Sequence, residues 1–233
     1  MLVLLGLLSL WWRKRVGHEL QVMASTPAST AAQAATATPG TFVKVIGTLR
    51  CREPIKSEFS YTPCAYFHAE IEREEVYYER GPDGKEQRKT RTTTIHANTQ
   101  NAACAIADNS GMVGIDFKGA NVEAIEVMNQ IGNPNGPGGL MGVIASMGST
   151  SDRYKERILA PDSPIYVLAT SLGNQLLGAA PQGARIKTFV ISHKSEAQRI
   201  KDLGSTMHWA IGLAIALFAL AAASLYGAWR AGA

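Results

Sequence analysis

Short alternating runs of apolar and polar residues fill the middle of this chain, and long uncharged runs stand at both ends. Thr41-Phe42-Val43-Lys44-Val45-Ile46 is β-branched and aromatic and predicts a strand ending at Gly47. Between Cys64 and Tyr78, Phe67, Ala69 and Ile71 alternate with His68, Glu70 and Glu72, the period of a half-buried strand. Gly81-Pro82-Asp83-Gly84 marks a turn, and threonine-rich Lys89 to Ile95 reads as the return strand. The first arm is acidic (Glu70, Glu72, Glu74, Glu75, Glu79) and the second basic (Lys85, Arg88, Lys89, Arg91). Opposite charges across strands stabilise such a pairing by about 0.2–1 kcal/mol each.

Ala102 to Ala107, the turn Asp108-Asn109-Ser110-Gly111 and Met112 to Phe117 predict a second, tighter hairpin. Gly119 to Val127 fits a strand or a helical turn, and Gly132 to Gly148 reads as a glycine-rich loop. Tyr154 to Leu159, Pro164 to Thr170 and Ile186 to Ser192 predict three further strands. Ser195-Glu196-Ala197-Gln198 has the spacing of a capping box and opens a helix over 196–206.

The ends are of another kind. Residues 207–229 contain no Asp, Glu, Lys or Arg. As a helix this run reaches roughly 34 Å, enough to cross a hydrocarbon layer of about 30 Å. Trp209 near one end and Tyr226 and Trp229 near the other fit interfacial aromatic belts. Residues 1–12 are apolar and are followed by Arg13-Lys14-Arg15, the reverse of a cleaved signal, whose charges come first. The expectation is an N-terminal membrane anchor, short at roughly 18 Å. Residues 13–39 are the basic stop and a linker, since Ala24 to Pro39 is built of Ala, Ser, Thr and Pro with Gln33 the one exception. Arg13, Lys14, Arg15, Lys194, Arg199 and Lys201 flank the apolar runs on the inner side and only Arg230 lies outside. The positive-inside rule then puts the central domain on the cytoplasmic face of an inner or plasma membrane.

Composition adds little beyond this. The 233 residues are 46% hydrophobic and 18% charged, which excludes a disordered chain. A net charge of +4 is too small to argue for nucleic acid. Cys51, Cys64 and Cys104 are odd in number and widely spaced, so no disulfide framework is expected. Cys64 and His68 share a strand face, and Cys51, Cys104 and His96 could join them, but the tight pairs of a zinc site are missing. No Gly-Lys-Ser/Thr follows the glycine-rich loop, and no nucleophile elbow is present. Neither a metal nor a cofactor is expected, and no catalytic residue is assigned.

One family does resemble this chain. The residues that carry the likeness are Gly47-Thr48-Leu49-Arg50, Pro54-Ile55-Lys56-Ser57-Glu58-Phe59-Ser60 and Pro63-Cys64-Ala65-Tyr66-Phe67. Asp108-Asn109-Ser110-Gly111 with the strand to Asp116, Tyr154 to Leu159 with Glu156, Ile165 to Leu168, and Phe189 to Ser192 follow in order. Together they resemble the GIDE, or beside-a-membrane, domain of mitochondrial outer-membrane ubiquitin ligases. The resemblance implies structural roles for Gly47, Pro54, Ser57, Ser60, Pro63, Cys64, Asp108, Gly111, Asp116, Glu156 and Ser192. Those ligases carry a zinc-binding RING after the last membrane helix, whereas no cysteine follows Cys104 here.

The expectation is therefore a mainly β (α+β) domain over 40–195, an antiparallel sheet or partly closed barrel, flanked by transmembrane helices. Its expected work is that of a non-catalytic interaction or scaffold module at the bilayer surface, with a protein partner or self-association through the membrane helices. A ligase-type transferase and a ligand- or metal-binding sensor around Cys64, His68 and His96 are the alternatives. An enzyme would need a convergent polar pocket and a scaffold an exposed apolar patch.

Overall fold

The computed structural model describes residues 14, 16–81, 84–132, 150–184, 186–206, 209, 212, 216 and 219. In chain order come α1 (16–25), β1 (Ala28–Ser29), α2 (Ala31–Ala35), β2 (Phe42–Cys51), β3 (Ile55–Lys56) and β4 (Pro63–Cys64). The long strands β5 (Tyr66–Arg80) and β6 (Glu86–Asn101) follow, then β7 (Cys104–Asp108), β8 (Gly111–Ile115), β9 (Asn121–Glu123) and β10 (Ile125–Ile131). The chain continues as β11 (Thr150–Leu159), β12 (Pro164–Gly173), β13 (Leu176–Gly178), β14 (Val190–Ser192) and α3 (196–206).

Five strands close on themselves in the order β2-β7-β8-β13-β12-β2. Neighbours are antiparallel except β8 and β13, which run parallel. Counted within the ring, the order is 1-2-3-5-4-1 with strands 3 and 5 parallel, the arrangement of an OB-type barrel. Closure leaves no bare edge in the ring. Val43, Val45, Leu49, Ile106, Val113, Ile115, Ile165, Val167 and Leu177 fill the interior. β12 is buried on both faces, because Tyr166 and Leu168 on its outer face pack with Met23 of α1 and Val190. That is why Pro164 to Thr170 reads as a continuous apolar run rather than an alternating one.

A four-stranded antiparallel sheet, β10-β11-β5-β6, stands on the barrel as a blade. It is assembled from two insertions: β5 and β6 lie between the first and second ring strands, and β10 and β11 between the third and fourth. β5 and β11 join them in continuous register from Tyr66–Leu159 to Glu75–Thr150. The acidic arm is thus shared. Glu79 pairs with Lys89 of β6, while Glu72 lies 2.6 Å from Lys155 of β11. Phe59, Cys64, Phe67, Ala69 and Ile158 make a second small core at the blade's base.

The Ala/Ser/Thr/Pro run read as a linker is in part folded. β1 pairs with β2, and Ala31 and Ala34 of α2 are buried in the barrel's core cluster. Alanine can pack there because it has no bulk to clear, and Thr30 with Gln33 supplies a capping box. Gly119 to Val127 resolves into β9 and the start of β10, and the strand expected from Ile186 is confined to β14. The apolar runs 1–12 and 207–229 and the glycine-rich loop lie largely outside the described residues. Among the described residues no helix is long and apolar enough to cross a membrane.

Candidate functional site

Three polar clusters hold the barrel, the blade and the helices together. The first centres on Glu156, which is fully buried. It points from β11 into the loop that joins β3 to β4. Its Oε1 accepts from the Phe59 N–H at 2.7 Å, and its Oε2 accepts from Ser57 Oγ and the Ser60 N–H at 3.0 Å each, and from Ser60 Oγ. Burial alone would push this carboxyl up. The donors of Phe59, Ser60 and Ser57 outweigh it and hold the group below the usual glutamate range.

The second centres on Asp108. Its Oδ2 accepts from the Ala31 N–H at 2.8 Å, and its Oδ1 accepts from Ser110 Oγ and from the Ser110 and Gly111 N–H groups. Ser110 Oγ in turn accepts from the Ala32 N–H at 3.0 Å. The hydrogen bond from Ser110 Oγ is the largest cause of the lowered Asp108 carboxyl pKa, followed by the Ala31 N–H. The second hairpin turn therefore caps α2. Asp108→Ala should speed amide exchange at Ala31 and Ala32 while leaving Val113 and Val167 unchanged; equal protection in both variants would refute the cap.

The third lies where α1 and α3 meet the barrel. Arg199, buried on α3, pairs with Glu19 of α1 at 2.6 Å and with Glu123 of β9. Glu123 also accepts from Ser192 Oγ at 2.7 Å. Buried Lys44 donates to Glu196 at 2.7 Å and to the Met23 carbonyl at 3.2 Å. Contacts joining 19 to 199, and 23 to 196 through Lys44, run the two helices antiparallel. The ends that continue into the two apolar runs thus lie side by side. Ser195 Oγ and Gln198 exchange the two capping-box bonds expected from their spacing.

Of the residues singled out from sequence, Ser57, Ser60 and Glu156 come together, and Asp108 and Gly111 share a turn. Pro63 and Cys64 form β4, Pro54 precedes β3, Gly47 lies in β2, and Asp116 accepts from the Lys118 N–H. Ser192 joins Glu123 in the third cluster. Cys64, His68 and His96 do not converge. Cys64 is buried, His68 bonds Thr99 and His96 bonds Glu58. Among the described residues no group of three or more Cys, His, Asp or Glu is placed to hold a metal. Sequence reasoning missed Glu19 and Glu123, and gave Arg199 weight only as a flanking charge. Nothing in their local spacing announces a cluster assembled from three distant elements.

The outward face of ring strands 2 and 3 carries Ala105, Ala107, Met112 and Gly114. The architecture is thus an OB-type barrel bearing a blade and a basal helix pair. A protein-family model described as "GIDE: E3 Ubiquitin ligase" matches residues 73–227, and the chain belongs to that family. The match starts inside β5, so Asp108, Gly111, Asp116, Glu156 and Ser192 fall within it and the motifs from Gly47 to Cys64 precede it. No curated protein and no solved structure matches the chain.

Proposed function

We propose that this protein is a membrane-anchored, non-catalytic interaction module of the GIDE family, with its barrel held on the cytoplasmic face of an inner or plasma membrane. The observation that carries the reading is the antiparallel α1–α3 pair, which sets the start of α1 and the end of α3 on the same side of the helix pair. In the blade, β6 is exposed along nearly its whole length. Ligase chemistry is the family's description; the three cysteines of this sequence all precede α3.

Alkaline carbonate extraction tests the anchoring. The full chain should stay with the membrane and a chain cut to 14–206 should be released; release of the full chain overturns the reading. Protease added to sealed right-side-out vesicles should spare the barrel, and crosslinking in native membranes should give a species heavier than the lone chain. A monomer throughout would remove the scaffold role.

A further inference from the structure

We infer that Cys51 and Cys104 form a cross-strand dithiol that a small-molecule disulfide oxidises to an intramolecular disulfide, closing the neck of the blade. Cys51 is the last residue of β2 and Cys104 the first of β7, and the two are direct register partners. The Leu49 N–H and carbonyl both bond the β12 side, to Ser163 and Asp162. Because backbone groups alternate along a strand, Cys51, two residues on, also turns its backbone away from β7. Cys51–Cys104 is therefore a non-hydrogen-bonded pair, the kind in which facing Cα atoms approach to about 4.5 Å. That lies within the disulfide range of about 4.4–6.8 Å.

Both side chains lie at the rim of the barrel's interior, half-buried, where they pack against its core cluster. Their sulfurs contact consecutive carbonyls of the same short segment, Cys51 Sγ that of Ala103 at 3.7 Å and Cys104 Sγ that of Ala102 at 3.4 Å. Neither has a part in the three polar clusters. Everything between them, residues 52–103, is the insertion that carries β3 to β6. A bond here would tie both feet of that insertion together. Cys64, the third cysteine, is fully buried on β4. Burial is the main cause that pushes its thiol up to about 11, so it is a poor competitor. Burial also raises the Cys104 thiol; Cys51, whose sulfur lies in the more exposed contact, reacts first.

The chemistry is thiol–disulfide exchange. The Cys51 thiolate attacks one sulfur of the small disulfide, breaks its S–S bond and releases one small thiol, which carries away the Cys51 proton. The Cys104 sulfur then attacks Cys51 Sγ in the mixed disulfide and expels the second small thiol with the Cys104 proton. Two protein thiols are oxidised and one external disulfide is reduced to two thiols.

The full chain, in detergent or in its own membrane, is treated with oxidised glutathione, alkylated and mapped by mass spectrometry. The expected result is a Cys51–Cys104 linked peptide pair, with Cys64 the one alkylated thiol. Cys64→Ser should leave the linkage intact. Cys51→Ser and Cys104→Ser should each abolish it, and Cys104→Ser should trap the glutathione adduct on Cys51. A stable glutathione adduct on Cys51 of the unsubstituted chain, a linkage involving Cys64, or full alkylation at all three positions would each overturn the proposal.

Discussion

Glu156→Gln should destabilise the protein by about 3–5 kcal/mol, in the upper range for single substitutions. The carboxylate accepts from both serine hydroxyls and two backbone N–H groups in a site with no solvent exposure. A glutamine keeps one acceptor oxygen but turns an NH₂ toward donors, so at least one of Ser57 Oγ, Ser60 Oγ, the Ser60 N–H and the Phe59 N–H loses its partner. Each buried donor left unmade costs about 1–3 kcal/mol. The loss should fall on the β3–β4 loop and the base of the blade, where Phe59 packs edge-on against Tyr154 with centroids 5.3 Å apart. Urea denaturation of both variants checks the magnitude. Equal midpoints would show that the cradle contributes nothing.

The same group sets an acid limb. Its folded-state pKa is lowered from the ordinary 4.5. The unfolded chain therefore binds the proton more readily, and the contribution is complete above about 4.5 and lost as pH falls through the folded value. Glu156→Gln should flatten that part of the stability profile. Titration of stability in the two variants from neutral pH downward reads this directly, and parallel acid limbs would contradict it.

Gly47→Ala should rank next, at about 3 kcal/mol, the upper end of what overpacking costs. An added Cβ would sit 2.5 Å from the Ala107 carbonyl oxygen and 2.7 Å from Ile106 Cγ2. The first neighbour is backbone of β7, so β2 and β7 would have to separate. Gly204→Ala is the natural comparison. A Cβ there meets nothing within 4 Å, and the position is helical, so the change should be neutral or stabilising by up to about 1 kcal/mol. Thermal melts of the two variants should move in opposite directions or differ widely. A Gly47→Ala protein as stable as the parent would mean that the barrel wall yields.

Local physics made much of this fold legible. Alternation in Phe67-His68-Ala69-Glu70-Ile71-Glu72 marks one buried and one open side of β5. The charge contrast of the two arms identifies a hairpin, and Ser195 with Gln198 locates the start of α3. The ordered motifs from Gly47 to Ser192 point to the family, because each reports a turn or a strand that sequence neighbours define. Glu156 is among the residues to which the resemblance gives a structural role, and nothing local in the sequence marks its partners.

Tertiary structure decided the rest. Ring closure depends on the parallel pairing of β8 with the three-residue β13, too short for periodicity to reveal. Ala31 and Ala34 look like linker residues until the barrel offers a surface that only a small side chain fits. The Glu156 cradle spans about a hundred residues of chain and the Arg199 cluster nearly two hundred. Cys51 and Cys104, widely spaced in the sequence, become neighbours once β2 and β7 pair. Periodicity and capping act between residues a few positions apart, so the sequence expresses them openly. Register between distant strands is chosen by which buried faces and donors can be satisfied at once, and that choice exists only in the folded chain.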